Sequence, residues 1–139
     1  MMRIFKAISM AVAASMLLTG SVVAGDFAGA ILYVVDGDTF DVSTQGTRVR
    51  IRLCGIDAPE RGETGYTLAR DALVPYIGKS VRCVQVGQGT PCDGRSKATN
   101  HGRVVAQCFV NGGDIAAWLV NHGYAVDWPR FSGGHYANR

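Results

Sequence analysis

Residues 28–53 read Ala28-Gly-Ala-Ile-Leu-Tyr-Val-Val-Asp36-Gly37-Asp38-Thr-Phe-Asp-Val-Ser-Thr-Gln45-Gly46-Thr-Arg48-Val-Arg50-Ile-Arg52-Leu53. This run decides the fold. It is rich in β-branched and aromatic residues and is broken at Asp36-Gly37 and again at Gln45-Gly46, so it reads as three strands joined by tight turns. The third strand alternates: Arg48, Arg50, Arg52 and then Cys54 fall on one side, Val49, Ile51 and Leu53 on the other. Successive strand side chains point to opposite faces, so the apolar set is expected in a core and the arginines on the opposite face.

Working outward, residues 63–77 carry Tyr66, Ala69, Ala72, Leu73 and Tyr76 at helical spacing, with Pro75 and Gly78 marking an end. Residues 80–86 and 103–110 read as fourth and fifth strands, separated by an exposed loop rich in Gly, Asp, Asn and Thr. A helix over 114–122 places Ile115, Trp118, Leu119 and His122 on one face, begins at a capping Asp and stops at Gly123. An extended piece follows at 124–128, and 129–139 has no helical period and reads as irregular. Five strands with two to three helices predict an α+β, mainly β domain: a small, partly open barrel with helices over its ends.

Residues 1–24 have a basic start, an apolar stretch and the small-residue exit Val22-Val23-Ala24, the pattern of a signal peptide cut after Ala24. The apolar stretch is shorter than the ~20 residues a spanning helix needs. The expectation is therefore a secreted or periplasmic protein, a monomer without stable membrane association, with a single domain over 25–139. Formal charge is +3 for the whole chain, but Arg3 and Lys6 leave with the signal, so net charge says little about nucleic acid. The four cysteines, Cys54, Cys83, Cys92 and Cys108, favour two disulfides in an exported chain. Zinc is the competing reading, but there is no Cys-x-x-Cys pair and no closely spaced His. Of three possible pairings, strand geometry favours Cys83 with Cys108, which can face each other across a hairpin. Cys54 would then join Cys92, whose loop can fold toward the arginine face.

Two short segments carry the chemistry, Asp36-Gly37-Asp38-Thr39 and Arg52-Leu-Cys-Gly-Ile-Asp57-Ala58-Pro-Glu60, with Gly102-Arg103 far downstream. Phosphodiester hydrolysis needs an activated water, neutralised non-bridging oxygens and a stabilised leaving oxygen. Asp38 and Asp57 offer the hard anionic oxygens that Ca²⁺ prefers, and Glu60 offers a general base. Arg52 and Arg103 carry planar guanidinium groups that fork onto phosphate and follow charge in a transition state. Blander readings exist for each piece. Asp36-Gly37-Asp38 is also an ordinary turn and fails as an EF-hand loop, Asp57 to Glu60 also suits a loop that starts a helix, and the strand arginines suit a solvated face. His101, His122 and His135 show no metal spacing. Trp118 reads as core, while Trp128 and Phe131, beside Arg130, are candidates for base stacking.

Val35-Asp36-Gly37-Asp38-Thr39, Arg52 through Glu60 and Gly102-Arg103-Val-Val-Ala, followed by Asn111-Gly112-Gly113-Asp114-Ile115 and Gly123-Tyr124-Ala125, together resemble the thermonuclease (micrococcal or staphylococcal nuclease-like) family. The resemblance implies an OB-fold barrel and a Ca²⁺-dependent endonuclease that cuts DNA and RNA, in single-stranded or unpaired form, to leave 3′-phosphate ends. It implies metal binding through the carboxylates of Asp38 and Asp57 and the backbone carbonyl of Ala58, with Arg52, Glu60 and Arg103 catalytic. The chain departs from the family pattern at Thr99-Asn100-His101, in the longer insert around 90–97 that contains Cys92, in a shorter loop after Glu60 and in lacking a final charged helix. Two other functions compete. A non-catalytic OB-fold module that binds nucleic acid needs positive charge and aromatic faces, and carboxylates beside phosphate are unfavourable there without a cation between them. A secreted structural disulfide domain would leave the carboxylates without purpose.

Overall fold

A computed structural model describes residues 25–137, and the predicted signal peptide at 1–24 lies outside the described residues. The strands are β1 (Asp26–Asp36), β2 (Thr39–Thr44), β3 (Thr47–Leu53), β4 (Ile56–Asp57), β5 (Ser80–Gln85), β6 (Thr99–Asn100), β7 (Arg103–Val110), β8 (Gly113–Asp114) and β9 (Val126–Asp127). The helices are α1 (Tyr66–Leu73), α2 (Ile115–Asn121) and α3 (Pro129–Ser132). No helix among the described residues is long and apolar enough to cross a membrane.

Five strands build the barrel, in the order β3-β2-β1-β5-β7, and a parallel pairing of β3 with β7 closes it. The β2–β3 hairpin turns through Gln45 and Gly46, both left-handed at φ 49° and 75°, as a two-residue hairpin turn requires. β1 shifts register against β2 between Ile31 and Tyr33 and again between Val34 and Asp36, while its first residues pair with β5 on the other edge. Such bulges bend and twist a strand, which lets β1 curl from one wall into the next.

The alternation of β3 is realised. Ile51 and Leu53 are fully buried, with Phe40 and Val42 of β2, Ile31 of β1, Leu73 of α1, and Ile115 and Leu119 of α2 in the same core. Trp118 packs at its margin, stacked on Tyr124. On the opposite face of the wall a second cluster forms from Cys54, Val86, Cys92 and Val105. Both expected disulfides are present: Cys83 and Cys108 face each other across β5 and β7, and Cys54 is bridged to Cys92.

The helix over 63–77 is shorter than its periodicity suggested. Gly62 and Gly65 are left-handed, and the Glu63 carboxylate accepts from the Glu60 N–H, so the chain turns until Tyr66. Pro75 then converts the end into a single 3-10 turn over Val74–Tyr76. Asp114 caps α2 as expected, accepting from the N–H groups of Ala116 and Ala117. Two readings are corrected. Residues 129–137 are not irregular: α3 forms, Tyr136 is fully buried, and its hydroxyl donates to the Asp114 carboxylate at 2.9 Å. Arg48 and Arg50 are not a plain solvated face, because both clamp the buried carboxylate of Asp41, and the hydrogen bonds from Arg50 and then Arg48 hold that carboxyl below its usual range.

Candidate active site

Asp38 lies with Gly37 in the turn between β1 and β2, and the Asp36 carboxylate accepts from its N–H at 3.1 Å. Its side chain turns inward and is almost wholly buried. One carboxylate oxygen accepts from the Thr39 hydroxyl at 3.0 Å; the other accepts from the Ala58 N–H at 3.1 Å and lies 3.2 Å from the Arg52 guanidinium. Burial pushes this carboxyl up to about 7, with Arg52 pulling the other way and the neighbouring Asp36 adding to the rise. The Asp38–Ala58 hydrogen bond reaches across twenty positions in sequence and, with the Arg52–Asp38 contact and the Leu53 N–H donating to the Asp38 carbonyl, joins the two motifs.

Arg52 leaves β3 on its outward face yet is only 14% exposed at the side chain. It donates to the carbonyl oxygens of Leu53 and Ile56, which fixes the guanidinium against the bend between β3 and β4. A guanidinium has five N–H donors, so these contacts do not use all of them. Arg103 begins β7, and its Nε donates to the Asn100 carbonyl at 3.2 Å. Because Arg52 is the parallel partner of Val105, Arg103 projects from the same face of the wall two residues along, about 7 Å by strand rise.

Asp57 and Ala58 follow directly on β4. Ala58 is buried and bonded to Asp38, whereas Asp57 is exposed. Glu60 is exposed too, in a turn closed by the Glu63 N–H donating to its carbonyl at 2.9 Å. Asp38, Arg52 and Ala58 thus form one bonded unit, with Arg103 on its face and Asp57 and Glu60 on the adjoining loop. Among the described residues no three His, Cys, Asp or Glu side chains converge into a complete metal cage. The donors present are carboxylate and carbonyl oxygens, which suit a hard cation, and the buried Asp38 carboxylate shares its site with only one guanidinium. In donor chemistry these residues suit a hard divalent cation.

Two features emerge only in three dimensions, the close seating of Gly37 and a groove that sets Trp128 and Phe131, stacking candidates beside Arg130 in the sequence, against the insert. Gly37 is needed for contact rather than for its turn: a Cβ there would lie 2.6 Å from the Ala69 Cβ and 2.9 Å from the Ala58 Cβ, so α1 seats directly on the Asp38 turn. Beside Arg52 opens a groove of about 600 Å³, walled by Arg95 and Lys97 on one side and Trp128, Arg130 and Phe131 on the other. The Asp127 carboxylate holds that second wall, accepting from the Ser132 hydroxyl and the Tyr136 N–H.

Residues 50–136 match the family model described as staphylococcal nuclease homologue, more than half of the chain. The chain belongs to this family. The matched span takes in Arg52, Asp57, Ala58, Glu60 and Arg103, and Asp38 joins it through the Ala58 bond. Among curated relatives, the micrococcal nuclease of Shigella flexneri is 45% identical over 64 residues, covering 45% of this chain and 37% of that protein. An uncharacterized endonuclease of Escherichia coli is 28% identical over 113 residues, covering 80% of this chain and 67% of the relative. The Escherichia coli protein ParB is 36% identical over 67 residues, with coverages of 48% and 38%. The matched part of the chain thus spans from about a third to two thirds of the length of these relatives.

Proposed function

We propose that this member of the staphylococcal nuclease homologue family is an exported, Ca²⁺-dependent endonuclease that hydrolyses DNA and RNA to products ending in 3′-phosphate. What supports this reading is the bonded unit of Asp38, Arg52 and Ala58, which joins an inward carboxylate, a fixed guanidinium and the loop carrying Asp57 and Glu60. Asp38, Asp57 and the Ala58 carbonyl hold the cation, which when bound lends positive charge to a phosphate oxygen. Glu60 takes the proton from the attacking water as its oxygen bonds to phosphorus. Arg52 and Arg103 donate N–H groups to the non-bridging oxygens as charge builds there, and the bond to the 5′-oxygen breaks, that oxygen taking a proton from solvent water to leave as a hydroxyl. Export to a periplasmic or extracellular space agrees with the two disulfides and the sequence pattern of residues 1–24.

The test is cleavage of single-stranded DNA and RNA by the oxidised protein with Ca²⁺ or excess chelator, with end-group analysis of the products. Calcium-dependent cleavage that leaves 3′-phosphate supports the proposal. Cleavage indifferent to chelator, or none by folded protein, refutes it.

A further inference from the structure

The insert at 86–98 is a built lobe. Its first half is folded around Asp93, whose carboxylate accepts from the N–H groups of Gly87 and Gly89 and from the Thr90 hydroxyl. Its second half turns on the Cys92 carbonyl, which accepts from the N–H groups of Arg95 and Ser96. The Ala98 carbonyl then accepts from Gln85 of β5 and Val105 of β7, and the Cys54–Cys92 bridge ties the lobe to the end of β3.

This places Arg95 and Lys97 opposite the α3 segment. A Cβ on Gly133 would lie 2.7 Å from the Arg95 Nε, so the guanidinium rests on bare backbone just past α3. Gly55 allows the same closeness at the floor, where a Cβ would meet Ser132, Cys92 and Tyr136 within about 3 Å. The groove between these walls runs out from Arg52 and carries four cationic side chains, Arg52, Arg95, Lys97 and Arg130, and no carboxylate among its described lining residues. Trp128 is 40% exposed, its ring nearly perpendicular to that of Phe131 with centroids 4.7 Å apart, and Arg130 lies over the Phe131 ring.

We propose that Arg95 and Lys97, on the disulfide-tethered insert, are substrate-positioning residues that bind phosphates of a single nucleic-acid strand leading from Arg52, while Trp128 stacks on an unpaired base. The inference rests on the nuclease reading for the identity of the strand. A positive groove with an exposed aromatic ring suits a single strand, whose bases are free to stack, and its volume is that of a small-ligand cleft rather than of a duplex channel.

The experiment compares the oxidised chain with the double variant Arg95→Gln/Lys97→Gln and with Trp128→Ala. All three residues are exposed, so the barrel is expected to melt unchanged. Binding of a fluorescent single-stranded twelve-nucleotide DNA is followed by anisotropy in chelator across a salt series. Cleavage of a dinucleotide in Ca²⁺, too short to reach the insert, reads the active site separately. The double variant should weaken binding about tenfold and flatten the slope of log affinity against log salt by about 1.4, the loss of two phosphate contacts on a single strand. Dinucleotide cleavage should keep its kcat/KM. Trp128→Ala should also weaken binding about tenfold but leave the salt slope unchanged. An unchanged affinity and slope in the double variant, or a duplex of the same sequence bound as tightly as the single strand, overturns the proposal. A wild type that cuts nothing in Ca²⁺ strikes the nuclease reading, and the binding arm still decides the groove.

Discussion

Replacing Cys54 and Cys92 together by alanine should destabilise the protein by about 4 kcal/mol. The bridge spans a sequence separation of 38. With loop-closure entropy of −2.1 − 1.5R ln n, a loop of that size corresponds to roughly 13 cal/mol/K, or about 4 kcal/mol at room temperature. For a domain slightly over 100 residues, each kcal/mol shifts the midpoint by about 4 °C, so the variant should melt roughly 15 °C below wild type. The sulfurs lie in the small cluster with Val86 and Val105, outside the barrel core. The barrel, still stapled by Cys83–Cys108, should keep its far-UV circular dichroism at low temperature. The assay is a thermal melt of both proteins without reductant. A midpoint within about 3 °C of wild type would refute the reasoning, because it would mean that the insert stays in place without its tether. Reductant acts on both bridges and should lower the midpoint further, since domains of this size are stable by only about 5–15 kcal/mol.

Arg52→Lys keeps the charge but loses the planar fork that spans two carbonyls and Asp38; the turnover of single-stranded DNA should fall by about 10²–10³, and stability should fall by about 1–3 kcal/mol as a buried acceptor loses its donor. Gly37→Ala pushes a methyl into Ala69 and Ala58, and overpacking of this kind destabilises by about 1–3 kcal/mol, measurable as a lower urea midpoint. The Asp93 carboxyl is lowered to about 2, first by the Gly87 N–H and then by the Thr90 hydroxyl. Its folded value lies below its ordinary 3.8, so its contribution is full above that value and is lost as pH falls through about 2. Asp93→Asn should therefore reduce stability at neutral pH by about 1 kcal/mol after allowing for solvent screening, read as a lower melting midpoint, and converge with wild type near pH 2. Equal midpoints at neutral pH would contradict that assignment.

Much of the barrel was legible because its signals are local. The alternation from Arg48 to Leu53 fixed which face of β3 is buried, and the Asp114 cap with Gly123 bounded α2. The Cys83–Cys108 bridge followed from reading residues 80–86 and 103–110 as adjacent strands. What was hidden depends on register or on single long-range contacts. Arg48 and Arg50 are paired because β2 lies against β3 with Asp41 opposite Arg50, a relation that the β3 alternation alone does not contain. Tyr136 is buried by its bond to Asp114 rather than by any periodic pattern, so residues 129–137 gave no helical signal. At the site, the motifs named Asp38, Arg52 and Asp57 to Glu60 as candidates. Their junction rests on the register that pairs Thr39 with Arg52, on the Arg52–Asp38 contact and on a hydrogen bond from Ala58, a residue with no side-chain polarity to announce it. The groove was half legible: Trp128 and Phe131, beside Arg130, read as stacking candidates, but Arg95 joins them only where the Cys54–Cys92 bridge holds the insert.

The most direct test of the central claim is Glu60→Gln, compared with wild type for hydrolysis of single-stranded DNA in saturating Ca²⁺. Glu60 is exposed, and its backbone, not its side chain, holds the turn, so the fold should be intact. The account predicts a fall in kcat of about 10²–10⁴ with Kd for the DNA little changed, as expected on removing a general base. Full activity in the variant would contradict the account.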